Sequence, residues 1–173
     1  DQGDLDAQRA LAICYLNGLG VQKDETKAYS LMQSAAEQGS VDAQVWLGMA
    51  LQDGVGVKRN LKEALEWYAR AAEQGDDYAA NNLGWAYQQG DGVEISYDKA
   101  AEWYERAAES NNLLALNNLG YLYQEGFGVI QSYEKAAELY KQAADLGELE
   151  AMLRLGRLYE DGSGVEQNAL LAL

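Results

Sequence analysis

Carboxylates are the side chains in this sequence that come nearest to forming a catalytic group. Asp76 and Asp77 are adjacent, and Glu148 stands close to Glu150. Two carboxylates perform acid–base chemistry when one of them is desolvated in a pocket. Both pairs stand instead at predicted turns and helix starts, where negative charge complements the helix dipole. The sequence contains no His, which is a common general base and zinc ligand. We therefore expect no catalytic residues, no metal site and no enzyme activity.

Other motifs that carry chemistry are also missing from the sequence. It has no phosphate-binding loop, calcium-binding loop or nucleophile elbow. A Gly-x-Gly pattern recurs, but no strand pattern precedes it, so we expect no dinucleotide or other cofactor. Cys14 is the single cysteine, so no disulfide is expected within the chain. We interpret it as a small buried hydrophobic residue.

The balance of charge indicates what kind of partner the chain favours. Of 173 residues, 28 are acidic and 13 are basic, which gives a formal net charge of −15. This sign disfavours nucleic acid and anionic membrane surfaces, and the sequence has no apolar run long enough for membrane insertion. It favours a basic partner, whose association it should accelerate at low salt. The composition leaves the cellular compartment open between the cytoplasm and an exported location.

Internal repetition shows which elements must position these side chains. Alanines and leucines recur at a constant interval of 36 residues: Ala7, Ala43, Ala79, Ala115, Ala151 and Leu11, Leu47, Leu83, Leu119, Leu155. A Gly-x-Gly-Val segment follows in every copy, beginning at Gly18, Gly54, Gly90, Gly126 and Gly162. Five copies without an insertion predict a repeat architecture.

Each repeat predicts two helices. In the first helix, Ala79, Leu83 and Tyr87 share one face, and the Gly-rich segment ends the helix because Gly adopts left-handed backbone angles without steric cost. The second helix begins at a capping residue in each copy, namely Asp24, Asn60, Ser96, Ser132 or Asn168. It ends at Gly39, Gly75, Asn111 or Gly147, since Asn is the best substitute for Gly in a left-handed cap. Asn60 and Glu63 resemble a capping box, and Trp67 and Trp103 are predicted to lie in the core.

The register predicts nine helices and a stub in a single domain, residues 1–173. The repeats fall at about 4–39, 40–75, 76–111, 112–147 and, in part, 148–173. Solenoids normally finish in a polar capping helix, so we interpret the chain as a fragment of a longer repeat array. Leu170, Leu171 and Leu173 in the stub would face solvent, which predicts weak end-to-end self-association.

The repeat unit resembles a known family. The pattern Ala-x-x-x-Leu-Gly-x-x-Tyr-x-x-Gly-x-Gly-Val, followed by Lys-Ala-x-x-Trp-Tyr-x-x-Ala-Ala-Glu-x-Gly, is similar to the Sel1-like repeat, a relative of the tetratricopeptide repeat. The resemblance implies an all-α fold, an α/α right-handed superhelix, and a role in protein–protein interaction. Such repeats are common in bacterial proteins and occur in eukaryotic adaptor subunits. Some secreted bacterial members carry one disulfide per repeat, and with Cys14 alone this chain departs from them.

By analogy with the tetratricopeptide repeat, the first helices line a concave groove, and the positions flanking their Leu-Gly centre face a ligand. These positions vary between copies whereas the packing positions do not. The partner-binding candidates are Asn81, Trp85, Asn117, Tyr121, Met49 and Arg157. Asn81 and Asn117 offer amide donors and acceptors to a peptide backbone, and Trp85 and Tyr121 offer aromatic anchors.

Structural interpretations of the same residues remain open. Trp85 and Tyr121 are equally consistent with partial burial between adjacent first helices. Asn82 and Asn118 favour a structural hydrogen bond over ligand binding. Arg154 is interpreted first as a surface pair with Glu150 or Glu160, and second as a site for a peptide carboxylate. Phe127, inside the Gly-x-Gly segment, is expected to cover a neighbouring helix end.

Two functional hypotheses follow. The first is a non-enzymatic scaffold that binds a protein or peptide with basic and apolar residues in the concave groove. The second is a structural, assembly or spacer module that contacts its partners through the convex face or the ends. The variable row of Asn and aromatic residues favours the first hypothesis.

Overall fold

The protein is a chain of α-helices. The computed structural model describes residues 2–168 and 170, and side chains from residue 4 onward. Over these residues it contains nine helices and no strand, as the repeat predicts. The helices are α1 (Gln2–Asn17), α2 (Glu25–Glu37), α3 (Val41–Asp53), α4 (Leu61–Glu73), α5 (Asp77–Gln89), α6 (Tyr97–Glu109), α7 (Leu113–Glu125), α8 (Tyr133–Asp145) and α9 (Leu149–Asp161). Odd numbers are the first helices of the repeats, and even numbers are the second helices.

The chain forms two compact units, Asp1–Ala79 and Ala80–Leu173. The first unit has a core of small and aromatic residues from α1–α4, including Leu47 and Trp67. The second has a core cluster on α7–α9, including Leu116 and Tyr140. Of the apolar stub residues, Leu170 is exposed in a turn, while Leu171 and Leu173 lie outside the described residues.

The predicted caps Asp24, Asn60, Ser96 and Ser132 begin the four described second helices, and all but Ser96 accept a side-chain cap hydrogen bond. Asp24 accepts a hydrogen bond from the Lys27 backbone N–H at 2.9 Å, and Asn60 accepts one from the Glu63 N–H at 3.3 Å. The capping box takes a variant form, because the Asn60 side-chain amide donates to the Glu63 carboxylate at 2.9 Å. At the other end, Asn111 has a φ of 58° where the other second helices have Gly, which confirms its predicted role.

A glycine and a tyrosine join the two helices of a repeat. Tyr68, Tyr104 and Tyr140 of the second helices are fully buried. A Cβ atom placed on Gly84 of α5 would lie 2.6 Å from the Tyr104 ring, so only a glycine allows this approach. The tyrosine hydroxyls then donate to glutamines on the first helices at 3.2, 2.8 and 3.0 Å, in the pairs Tyr68–Gln52, Tyr104–Gln88 and Tyr140–Gln124. Each hydroxyl therefore keeps a hydrogen bond although its ring is removed from water.

The two predicted core tryptophans differ in burial. Trp67 is 7% exposed and belongs to the core cluster of the first unit. Trp103 is only partly buried, so its predicted place in the core is wrong. The guanidinium of Arg106 lies 4.5 Å from the Trp103 ring centre, and Arg70 lies 4.4 Å from that of Trp67. The tryptophan at this position thus packs between the core and an arginine side chain. The tyrosine that follows it, Tyr68 or Tyr104, is the fully buried residue.

We expect Trp67→Ala to lower the free energy of unfolding by about 3–5 kcal/mol, because it removes a large buried side chain. Trp103→Ala should cost clearly less, since part of its ring already faces outward. Chemical denaturation of both variants measures the difference. Equal losses, or no loss for Trp67→Ala, would contradict this assignment.

The Gly-x-Gly segments join consecutive repeats within each unit. In the second unit, a Cβ atom on Gly128 would lie 2.2 Å from the carbonyl carbon of Tyr97, at the start of α6. The adjacent Phe127 stacks on the Tyr97 ring with centroids 4.9 Å apart, which confirms that it covers a helix end. In the first unit, Gly56 makes the same approach to Glu25. At Gly56 and Gly128, the glycine is therefore required by contact as well as by its backbone angles.

Candidate functional site

We call the surface that carries Asn81, Trp85, Asn117, Tyr121 and Arg157, on the first helices of the second unit, the first-helix face. Two of these residues are aromatic. Trp85 on α5 is 47% exposed, which is unusual for so large an apolar side chain. Tyr121 occupies the same register position on α7 and is partly buried. Its ring meets Phe127 edge-on at 6.0 Å and lies 5.1 Å from the Arg154 guanidinium. Trp85 offers apolar surface to a partner, while Tyr121 is fixed in place by its neighbours.

The asparagines of this face connect adjacent first helices. Asn81 and Asn117, which the sequence places among the ligand contacts, are 7% and 8% exposed. The Asn118 side-chain amide donates to the Asn81 side-chain oxygen at 3.2 Å, which joins α7 to α5. Such burial leaves Asn81 and Asn117 little surface for a ligand in this conformation. The structural interpretation of Asn118 agrees with this hydrogen bond.

Asn82 and Asn118 hold equivalent positions in consecutive repeats, and in the next repeat this position is occupied by Arg154. Its guanidinium pairs with Glu150 at 3.0 Å and contacts the rings of Tyr121 and Tyr140. The side-chain oxygen of Asn117 and the Nε atom of Arg154 are both buried and lack a hydrogen-bond partner among the described residues. The first interpretation of Arg154, as a partner of Glu150, therefore agrees with the structure. Arg157, one turn further along α9, is exposed.

Met49 on α3 holds, within the first unit, the register position that Trp85, Tyr121 and Arg157 hold in the later repeats. It is partly buried, and the Tyr78 hydroxyl donates to its sulfur at 3.6 Å. This contact joins α3 to α5 just as the asparagines join α5 to α7. The other candidates, Asn81, Trp85, Asn117, Tyr121 and Arg157, all lie on first helices within the second unit, whereas Met49 lies within the first unit.

The environment of Tyr140 shows how strongly the interior excludes water. Burial raises the pKa of its hydroxyl to about 12, although the nearby Arg154 opposes that shift. Burial likewise raises the pKa values of Tyr68 and Tyr104 above their ordinary range. These tyrosines are neutral at physiological pH and act in packing. Their hydrogen-bond acceptors, Gln52, Gln88 and Gln124, recur in the sequence at the repeat interval of 36 residues.

Open grooves also occur away from this face. One of 330 Å³ runs along α4 and is lined by Asn60, Lys62, Glu63, Glu66, Trp67 and Arg70. Within the described part of the chain, no group of three or more Cys, Asp and Glu residues is arranged to hold a metal ion. Nor does any helix there combine the length and the apolar character needed to cross a bilayer.

The comparison with protein families decides what kind of chain this is. A model of the Sel1 repeat matches residues 5–40, 41–76, 77–112, 113–148 and 149–173. The chain belongs to the Sel1 repeat family. Each Sel1 repeat begins one residue after the boundary expected from the interval of 36. Sel1 repeats generally serve in protein–protein interaction and are generally non-catalytic.

Solved structures support the same assignment. The Sel1 chain is 38% identical, with a TM-score of 0.94, to a protective antigen of uropathogenic Escherichia coli that displays an SLR fold. It is 36% identical, again with a TM-score of 0.94, to a Sel1 repeat protein from Oxalobacter formigenes. These matches cover 99% of this chain but 37% and 70% of those proteins. They confirm the predicted all-α repeat superhelix, and the organisms are bacterial, as the resemblance implies.

A less similar solved structure is that of a cysteine-rich protein. Helicobacter pylori cysteine-rich protein B is 25% identical, with a TM-score of 0.60, over 75% of this chain and 92% of that one. Here Cys14 is free and partly buried. A comparison with curated proteins finds no match.

Proposed function

We propose that this Sel1 repeat chain is a non-enzymatic scaffold that binds a protein or peptide through the first-helix face of its second unit. By analogy with the tetratricopeptide repeat, we expect the first helices to line the concave side of the repeat array. The observation that carries the proposal is the exposed indole of Trp85, since aromatic anchors dominate binding energy at protein interfaces. Tyr121 extends the same row and is held rigid, which reduces the entropy lost on binding.

The asparagines contribute to this face in a different way from the aromatic residues. Asn81 and Asn118 fix the spacing of α5 and α7 through their hydrogen bond, and hence the separation of Trp85 from Tyr121. Asn117 keeps an unpaired oxygen beneath the face, which a partner's N–H reaches only after a side-chain movement. Arg157 holds the same register position on α9 and extends the row beyond its aromatic centre, whereas Met49 holds that position within the first unit.

The chemistry of the partner follows from this face and from the net charge. Trp85 and Tyr121 favour apolar side chains, and a net charge of −15 favours basic residues around them. Affinity should therefore fall as salt is added, because screening shortens the range of the attraction. A partner with basic and apolar residues in alternation meets both conditions.

Trp85→Ala should weaken binding by about 2 kcal/mol, a typical loss at an interface hot spot. The partner is first captured with the intact chain and then titrated against the variants by calorimetry. Tyr133→Ala is the matched control, since Tyr133 is an exposed aromatic residue on a second helix. Circular dichroism checks that both variants remain folded.

Unchanged affinity after replacement of both Trp85 and Tyr121, in a folded protein, would refute binding at this face. Binding would then be assigned to the second-helix side, where the groove along α4 lies. That outcome corresponds to the alternative of a spacer or assembly module.

A further inference from the structure

The loop between α5 and α6 borders an open cavity within the second unit. The cavity measures 440 Å³ and is lined by Tyr87, Val93, Glu94, Ile95, Ser96 and Lys99. Ile95 is 53% exposed there. The cavity belongs to the third of the five Sel1 repeats, so repeats precede and follow it in the chain. Its volume falls within the range of pockets that enclose a small ligand.

The position of Ile95 carries a capping side chain in the two later repeats. The Gln131 side-chain amide donates to the Gln124 main-chain carbonyl at the end of α7, at 2.8 Å. The Gln167 amide donates in the same way to the Glu160 carbonyl at the end of α9, also at 2.8 Å. The last carbonyls of a helix lack partners within the helix, so these glutamines supply them. In every repeat but the third this position has a long side chain with N–H donors: Lys23, Arg59, Gln131 and Gln167.

Ile95 occupies the same place but cannot cap its helix. A Cβ atom on Gly90 would lie 2.9 Å from the Ile95 side chain, and one on Gly126 would lie 3.1 Å from that of Gln131. The two side chains therefore stand next to equivalent glycines. Isoleucine has no N–H group, so the equivalent carbonyl at the end of α5, that of Gln88, receives no hydrogen bond from this position.

The charges around the cavity favour a cationic donor. The C-terminal end of a helix carries partial negative charge and interacts favourably with cations. The Glu94 carboxylate lines the cavity itself. Over residues 90–99 the acidic residues outnumber the one basic residue, Lys99, and they are Asp91, Glu94 and Asp98. The net charge of −15 acts in the same direction at longer range.

Lys99 leaves room for a second cation. Its ammonium lies 5.3 Å from the centre of the Tyr87 ring, to one side of the position that Ile95 holds. In the first repeat, Lys27 lies over a tyrosine ring at the same distance, and Lys23 holds the position of Ile95 and pairs with a carboxylate. Two lysines thus coexist at the equivalent place in the first repeat.

We propose that this cavity binds an arginine side chain of a protein partner. The guanidinium donates to the Gln88 carbonyl and to the Glu94 carboxylate, and it replaces the cap that the third repeat lacks. Val93 and Ile95 contact the methylene groups of the arginine. Arginine suits the site better than lysine, because its planar group donates to two acceptors at once. The site is separate from the first-helix face and does not depend on partner binding at Trp85.

Nuclear magnetic resonance titration of the full chain with N-acetyl-arginine amide tests the proposal. The probe should shift the backbone amide signals of residues 88–99 in a saturable way. N-acetyl-citrulline amide has nearly the same shape without the charge, and it should bind about fivefold more weakly because its hydrogen bonds are not charge-assisted. Ile95→Gln introduces the side chain of the two later repeats and should weaken binding about tenfold or more, since it caps α5 from within the chain. Glu94→Gln should weaken binding about threefold.

Two controls separate this site from other causes. Glu138→Gln makes the same change of net charge at an exposed position of α8 and should bind the probe as the parent does. Trp85→Ala should also bind it unchanged, which distinguishes this site from the first-helix face. The amide spectrum of each variant reports whether it is folded. Equal affinity for the arginine and citrulline probes, unchanged binding by Ile95→Gln or Glu94→Gln, or the absence of a saturable shift would each overturn the proposal.

Discussion

Gly128→Ala is expected to lower the free energy of unfolding by roughly 2–5 kcal/mol. The backbone of Gly128 has a φ of 68°, a left-handed conformation that costs an alanine about 1–2 kcal/mol. The added Cβ would also lie 2.2 Å from the Tyr97 carbonyl carbon. That neighbour is backbone at the start of α6, so it yields only if the loop and the helix separate. Overpacking of this kind costs about 1–3 kcal/mol more.

Gly20→Ala is the matched control for that variant. Gly20 has almost the same backbone, with a φ of 72°, but nothing lies within 4 Å of a Cβ placed on it. It should lose only the conformational part, about 1–2 kcal/mol. Urea denaturation of both variants measures the two losses. Similar losses would show that the contact of Gly128 with α6 contributes nothing beyond backbone strain.

The second large effect is a loss of folding stability at alkaline pH, where buried tyrosines ionise. Burial raises the pKa of Tyr140 to about 12 and shifts those of Tyr68 and Tyr104 in the same direction. An unfolded chain ionises its tyrosines near pH 10. The stabilisation by the neutral hydroxyls is therefore complete below pH 10 and is lost as the pH rises through the folded-state pKa. For Tyr140 the loss is on the order of 2–3 kcal/mol, at about 1.4 kcal/mol per pH unit.

Tyr140→Phe separates this effect from other alkaline titrations. At pH 8 the variant should be about 1 kcal/mol less stable than the parent, because it lacks the hydrogen bond to Gln124. Between pH 10 and about pH 11 the difference should shrink, and above that pH it should reverse, since phenylalanine does not ionise. Tyr133→Phe, at an exposed position of the same helix, should follow the parent throughout. If the free energy of unfolding of Tyr140→Phe and of the parent fell in parallel with rising pH, burial of this hydroxyl would be ruled out as the cause of the alkaline loss of stability.

The helices and their ends could be predicted from the sequence because their signals are local and repeated five times. A cap such as Asp24 or an Asn at position 111 acts within its own turn, so spacing is enough to find it. The burial of Trp103 was harder to predict, since it depends on the rotamer of Arg106 and on the competing Tyr104. Which aromatic ring reaches the interior therefore depends on side chains that are neighbours in space, and the repeat spacing does not report them.

The candidate site was predicted in position but not in detail. The register correctly separates Trp85, which is exposed, from the packing residues around Leu83. It does not show that Asn81 bonds to Asn118, because a hydrogen bond between neighbouring helices depends on the depth of each side chain. Arg154 replaces this asparagine in one repeat only, so the contact differs there. A consensus pattern drawn from all five copies does not contain such a difference.

The contacts of Gly56, Gly128 and Gly164 with the start of the preceding second helix also constrain how a gene for such a chain changes over generations. An extra codon between Gly120 and Gly128 would move one of two glycines away from the tyrosine it must meet, Tyr140 or Tyr97. A duplication of 36 codons keeps both glycines in phase and adds a complete pair of helices. We therefore expect a change of one whole repeat to be tolerated better than a small insertion, because only the former preserves the period.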